Sequence, residues 1–172
     1  GGGIHNYGML TLTNSTLSGN SASLGGGIRN SGNMVKLSFV TIAENSAGGG
    51  IAKSSGSTLQ IRHSIVAKNT GGNCDILGSF TPFGNNFADD NTCSGFASLT
   101  PSTLGPLASN GGATQTHALY LGSQAIDAAS DCQDVDNNTV STDQRGVLRP
   151  QGGACDAGAY EARLIYLPLI LR

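Results

Sequence analysis

The sequence predicts an all-β chain, a right-handed parallel β-helix (β-solenoid), and three observations carry that reading. The phrase GGGIHN at 1–6 returns as GGGIRN at 25–30 and as GGGIAK at 48–53, a near-constant period of 24 and then 23 residues. Between these phrases, short stretches alternate apolar and polar residues, which is strand and not helix periodicity. Glycine makes up 26 of the 172 residues, while charged residues are only 12% against about 25% in an average soluble domain.

Aligned on their asparagines, the units place Leu10, Leu12 and Leu17 in register with Val35, Leu37 and Ile42, and with Leu59, Ile61 and Val66. Ile4, Ile28 and Ile51 form a further matched set. A unit of this size cannot bury its apolar face alone, but units stacked about 4.8 Å apart convert matched residues into continuous columns. The right hand is the usual one for parallel crossovers. Each GGG triplet is expected where a coil turns sharply, because glycine accepts positive φ without steric cost. Asn20, Asn45 and Asn69 match after the third strand of each unit, where stacked amides can bond along the axis. Asn14, Phe39 and His63 also align, a column without a kept identity. No GxGxxG or GxxxxGK phrase opens a helix, so the glycines do not read as a nucleotide loop.

Beyond residue 70 the period blurs. ILGSFTPFGNNF (76–87) and THALYLGSQAID (116–127) read as further, less regular coils, and ADDNTCSG and LTPSTLGPLASNGG as bulging loops. The expected organisation is one domain over 1–163, with regular coils at 1–70 and irregular coils and loops at 71–163, followed by an apolar tail at 164–172. Seven of the nine residues of that tail, LIYLPLILR, are Leu, Ile or Tyr, and Pro168 restricts it to an edge strand. Such a strand is an aggregation hazard unless something covers it.

The formal net charge of -2, without a Lys/Arg cluster, argues against nucleic acid or an anionic membrane as main partner. No apolar run approaches the roughly 20 residues of a spanning helix. The four cysteines, Cys74, Cys93, Cys132 and Cys155, avoid C-x-x-C spacing and read as two disulfides, which places the chain outside a reducing cytosol. Three connectivities are open; pairing of neighbours is favoured, since each neighbouring pair brackets one irregular segment.

The units GGGI.N…LTLTNSTLSGNSA, followed by LGPLASNGGATQTHAL, GSQAIDA and C…TDQRGVLRPQGGACDAGAYE, resemble bacterial secreted parallel β-helix proteins with a C-terminal choice-of-anchor domain. The repeats alone are also similar to those of polymorphic outer-membrane proteins. The resemblance spans nearly all of 1–161. It implies an extracellular or cell-surface β-helix, usually without demonstrated catalysis, and a Cys132–Cys155 staple in the terminal region. The tail looks like a short C-terminal extension of secreted proteins from filamentous bacteria.

Catalysis on this fold needs clustered carboxylates and a positioned base. In the regular coils the only carboxylate is Glu44, and Lys36, Lys53, Arg62 and Lys68 are scattered, so no catalytic, cofactor or metal site is expected. DVDNNTVSTDQRG (134–146) places Asp134, Asp136 and Asn138 at alternate positions of a calcium loop, but it lacks the central glycine and has Arg145 where a bidentate Glu belongs. Turn-forming Asx residues are the default there. Asp143, Arg145, Arg149, Asp156 and Glu161 are expected to form an internal ionic network in preference to a carbohydrate or ion site. His5, His63 and His117 occur singly and read as packed or solvent-facing. Asn14-Ser15-Thr16 and Asn137-Asn138-Thr139 match the glycosylation pattern.

The expected function is that of a non-catalytic extracellular structural protein whose copies stack end to end into filaments. The residues expected to carry assembly are Gly1, Gly2, Gly3 and Ile4 at the open first coil and Leu164, Ile165, Tyr166, Leu167, Leu169, Ile170 and Leu171 in the tail. The expected partner is a second copy of the chain. The alternative is a surface adhesin that binds glycans, with a polysaccharide lyase or hydrolase behind it.

Overall fold

A computed structural model describes residues 1–80 and 82–163. The first coil contains β1 (Ile4–Asn6), β2 (Met9–Ser18) and β3 (Ser21–Ala22), and the second β4 (Ile28–Asn30), β5 (Met34–Ala43) and β6 (Ser46–Ala47). The third contains β7 (Ile51–Lys53), β8 (Thr58–Arg62) and β9 (Ile65–Ala67); the fourth has β10 (Cys74–Ile76) and β11 (Phe87–Ala88), and β12 (Ala97–Ser98) starts another turn. The coils stack as parallel sheets ordered β1-β4-β7-β10, β2-β5-β9-β11-β12 with β8 also on β5, and β3-β6. The fold is a β-solenoid.

Register follows the sequence alignment. Ile4, Ile28, Ile51 and Cys74 form one column, Leu12, Leu37 and Ile61 another, and Leu17, Ile42, Val66 and Ala88 a third. These columns make one core cluster, in which each fully buried Leu, Ile or Val is worth about 1.5–3 kcal/mol.

The glycine triplets work by two mechanisms, not one. Gly25 and Gly49 take the expected positive φ, 58° and 76°. Gly27 does not need it; a Cβ there would lie 2.6 Å from Ile42 Cγ2 and 2.7 Å from the Gly50 carbonyl of the next coil. Its glycine permits the coils to approach.

The column of Asn14, Phe39 and His63 keeps its backbone where it does not keep its side chain. All three sit in the left-handed region, at φ 48°, 53° and 49°. Each holds a corner at a cost of about 1–2 kcal/mol for a residue other than glycine, so something must over-determine it.

That something is the C-terminal half, which differs from the expected series of irregular coils. The stretch expected as a loop includes a single 3-10 turn, Pro101–Thr103, and β13 (Leu104–Ala108), which pairs antiparallel with β14 (Thr116–Leu119). After this hairpin the chain becomes a strap that runs across the coils. Asn85 Nδ2 of the fourth coil donates to the Ala128 carbonyl, and Arg62 of the third reaches Asp131 and Asn137. Ser38 Oγ of the second accepts from Val135 N–H, and Asn14 and Thr16 of the first reach Thr142 and Gln144. From Ala128 to Gln144 the strap thus runs from the fourth coil back to the first. The chain then returns, with Ala159 N–H donating to Thr41 Oγ1 and Gly158 N–H to the His63 carbonyl. Solenoid packing repeats from coil to coil, whereas each strap contact uses a different pair of residues.

The disulfides join Cys74 to Cys93 and Cys132 to Cys155, the neighbour pairing. The first ties the fourth coil to the following turn, and the second closes the strap on itself.

Candidate functional site: a ladder of coils and a buried ionic strap

Two regions carry chemistry beyond packing. The first is the stack of regular coils. Gly2, Gly3 and Ile4 donate backbone N–H groups to Gly25, Gly26 and Gly27 at 3.1, 2.9 and 3.0 Å. Strand β2 pairs with β5 on both sides of the Asn14 corner and, among the described residues, with no strand on its other side. Tyr7 and Met9 are 74% and 77% exposed, and Ile4, Leu10 and Leu12 are only half-buried where their column mates are sealed. The assembly residues expected at 164–171 lie outside the described residues.

Along this stack the polar side chains form ladders. Asn20 Nδ2 donates to Asn45 Oδ1, Asn45 Nδ2 to Asn69 Oδ1, Asn69 Nδ2 to Asn73 Oδ1 and Asn73 Nδ2 to Asp89 Oδ1, at 3.0, 3.0, 2.9 and 2.7 Å. A second ladder begins with Asn6 Nδ2 on Asn30 Oδ1 at 2.9 Å. In the third coil Lys53 takes that position and donates to the Leu77 carbonyl. The signal was the final residue of the repeated phrase, N, N and then K, which the sequence reasoning did not use.

The second region is the strap. Arg149 and Glu161 form an ion pair at 2.8 Å with both side chains fully buried, and Arg145 pairs with Asp143 at 2.7 Å under nearly the same seal. Glu161 also accepts the N–H groups of Gln151 and Asp156, while its own N–H donates to Asp143. Arg149 lies 4.4 Å above the Phe39 ring and Arg145 3.5 Å above the Tyr160 ring. Buried charges persist only when paired and hydrogen-bonded in this way. The five network residues expected from sequence are therefore together, and their contacts are internal.

Burial pushes the Asp156 carboxyl up to about 7, although it accepts the N–H groups of Ala162 and Asp127. Burial pulls Arg149 down, opposed by Glu161, Asp143 and Asp156. His63 is held below its ordinary value, mainly by burial, with the Asp131 hydrogen bond acting against it. For Asp131, burial raises the pKa, but hydrogen bonds from Arg62, the Gln133 N–H and His63 outweigh it and hold the carboxyl low.

The His63–Asp131 contact, 3.2 Å, is an acid–base pair in composition only. The His63 side chain is completely covered, so no substrate reaches it. The pair fixes the strap at the third corner. His117 is likewise buried, between the Gly105 carbonyl and Ser18 Oγ, and His5 contacts Ser31. In the loop at 134–138, Asp134 turns back onto the N–H groups of Asp136 and Asn138, and Asp136 pairs with Lys36. These are the turn contacts of an Asx loop. Among the described residues no three His, Cys, Asp or Glu side chains converge as a metal site, and no helix is long and apolar enough to cross a membrane.

No protein-family model, curated protein or solved structure matches the chain. The choice-of-anchor resemblance therefore rests on the TDQRG…GACDAGAYE residues themselves.

Proposed function

We propose that the chain is a non-catalytic extracellular structural protein whose solenoid joins end to end with further copies. The observation that carries this reading is the like-on-like register of the coils, in which Ile4, Ile28 and Ile51 and the amides of Asn20, Asn45 and Asn69 stack on their own equivalents. Coils that pair by matching like with like can receive a matching coil of another copy, and a heterologous contact that does not close grows into a filament. Two disulfides and the low charge agree with an oxidising, extracellular setting. The bacterial, surface-attached setting implied by the choice-of-anchor motif belongs to the same reading.

Electron microscopy of the untagged protein, with mass spectrometry of both termini on the same sample, tests it. Filaments of chains that begin at Gly1 and keep Arg172 support the proposal, and deletion of 164–172 is then expected to leave folded monomers. Dispersed full-length monomers overturn it. A second reading, a glycan-binding adhesin, draws on the uncharged hydroxyl-bearing outer positions of β2, such as Thr11 and Thr13; binding of neutral oligosaccharides by monomers would favour it.

A further inference from the structure

Both passes of the strap meet the third coil at one residue. The return pass takes the His63 carbonyl, which accepts from Gly158 N–H, and the outward pass takes the His63 ring, which faces Asp131. Of the corner column Asn14, Phe39 and His63, only His63 can change its charge.

The ring is sealed, and its two nitrogens have unlike neighbours. Nε2 lies 3.2 Å from Asp131 Oδ1, an acceptor, and Nδ1 lies 3.4 Å from the Asn85 N–H, a donor. One neutral tautomer satisfies both: Nε2 carries the hydrogen and donates to Asp131, while Nδ1 accepts from Asn85. A second proton can go only to Nδ1, where it would point at another N–H. The ring cannot turn aside, because it lies so close over Gly84 that a Cβ there would sit 2.4 Å from its Cε1. Arg62 Nε, 3.2 Å from Nε2, adds repulsion against a second positive charge, and Arg62 is itself held by Asp131, Asn137 and the Asp134 carbonyl. From β5 the neighbour is the Phe39 ring, 5.2 Å away between centroids, with Arg149 stacked on Phe39 in turn.

Asn85 passes this conflict to the strap. Its N–H is what a proton on Nδ1 would displace, and its Nδ2 donates to the Ala128 carbonyl. We infer that strap residues 128–138 form an acid-released latch, closed while His63 is neutral and lifted when Nδ1 takes a proton. Lifting breaks the Asn85 and Asp131 contacts together and takes Ala129 off the Phe39 corner. The return pass stays seated through Gly158 and Ala159, and the Cys132–Cys155 bridge keeps the lifted segment attached.

The charges fix the pH window. Burial holds His63 below its ordinary value in the closed strap, and the lifted ring titrates at about 6.5. The lifted form therefore binds the proton more tightly, and the closed form loses ground as pH falls below about 6.5, by at most about tenfold per pH unit for one proton. Asp131 and Asp134 are held low in the closed strap, so above about pH 5 they are ionised in both forms and add nothing to the change. Asp156 belongs to the return pass and acts with the opposite sign.

Amide hydrogen exchange of the full chain at pH 5, 6 and 7, corrected for the intrinsic pH dependence of exchange, tests the latch. The N–H groups of Asn85 and of Val135, which donates to Ser38 Oγ, are expected to lose up to about tenfold protection per pH unit toward pH 5. Those of Ile28 and Ile51, bonded between coils, are expected to hold theirs. His63→Asn keeps a residue that tolerates the left-handed corner, as Asn14 does, and removes the titration; in it the protection of Val135 is expected not to change with pH. If that variant lifts the strap at every pH, the imidazole nitrogen shifts of the unaltered chain decide: the latch requires the Nε2–H tautomer at pH 7 and a protonation midpoint that tracks the loss at Val135. Unchanged protection from pH 7 to 5, an equal loss in His63→Asn, a protonated His63 under a protected Val135, or simultaneous loss at Ile28 and Ile51 each overturn it.

Discussion

The regular coils and the C-terminal strap solve the same problem, order at low charge and few aromatics, in opposite ways. In the coils each buried group meets its own equivalent one turn away, so Ile28 lies between Ile4 and Ile51 and Asn45 between Asn20 and Asn69. In the strap each charged group meets unlike partners that do not recur: Arg149 with Glu161, Arg145 with Asp143, Asp131 with Arg62. Repetition spreads the loss when one contact fails, because neighbouring coils remain paired. A network of contacts without equivalents elsewhere concentrates it.

The sharpest way to break that comparison is Glu161→Ala. It leaves Arg149 buried without its carboxylate, and such uncompensated charge costs about 3–5 kcal/mol. The expected result is a large drop in the urea midpoint of the whole domain. A paired Arg149→Met/Glu161→Leu variant should recover most of that drop; no difference between the two would show that the charge pair is not what holds the strap.

Removing the Cys132–Cys155 bridge by paired alanine substitution is next, at about 2–5 kcal/mol. Hydrogen exchange should show the strap opening first, over 125–163, while Leu37, Ile42 and Ile61 stay protected. Simultaneous opening of both regions would mean that they form one cooperative unit.

The pH dependence separates the regions without a structural deletion. Asp156 titrates near 7 in the fold and near 3.8 when unfolded, so between those values the folded state keeps a proton that the unfolded state has released. Its contribution lowers stability as pH rises from about 4 to 7 and is constant above that. His63 acts with the opposite sign: its lowered pKa makes the unfolded state bind more protons, so its contribution rises with pH up to about 6.5. Asp156→Asn should remove the falling limb and leave the rising one. A denaturation series across pH 4 to 8 checks this, and an unchanged profile would exclude Asp156 as the titrating group.

The smallest of the four effects is expected in the repetitive region. Asn45→Ala cuts the amide ladder and strands Asn20 Nδ2 and the Asn45 and Leu17 surroundings, for about 1–3 kcal/mol. A thermal melt should show a modest shift with unchanged cooperativity. A loss as large as that of Glu161→Ala would abolish the distinction drawn between the regions.

The same distinction explains what was legible in the sequence. Columns of like residues require a period, and a period is visible without coordinates; the Leu12, Leu37 and Ile61 register followed directly from it. The corner at Asn14, Phe39 and His63 was visible only as a mismatch, because backbone conformation and not side-chain type is kept there. The five residues of the ionic network could be named from their clustering near the C-terminus. Their partners in the coils could not, since Thr41, Phe39 and Asn14 carry no mark of a contact more than a hundred positions away.

The asparagine ladder has a further consequence. Every amide-to-amide bond in it runs in the same sense, from the first coil toward the fourth, while Asn45 and Asn69 also donate back to the Leu17 and Ile42 carbonyls, and the series stops on the Asp89 carboxylate. The stack thus has a polar axis, like a row of magnets laid north to south, with the carbonyl end of Asn20 at the first coil. Two first coils brought face to face would set acceptor against acceptor. The solenoid therefore has a direction along its axis, set by the orientation of a single type of side chain.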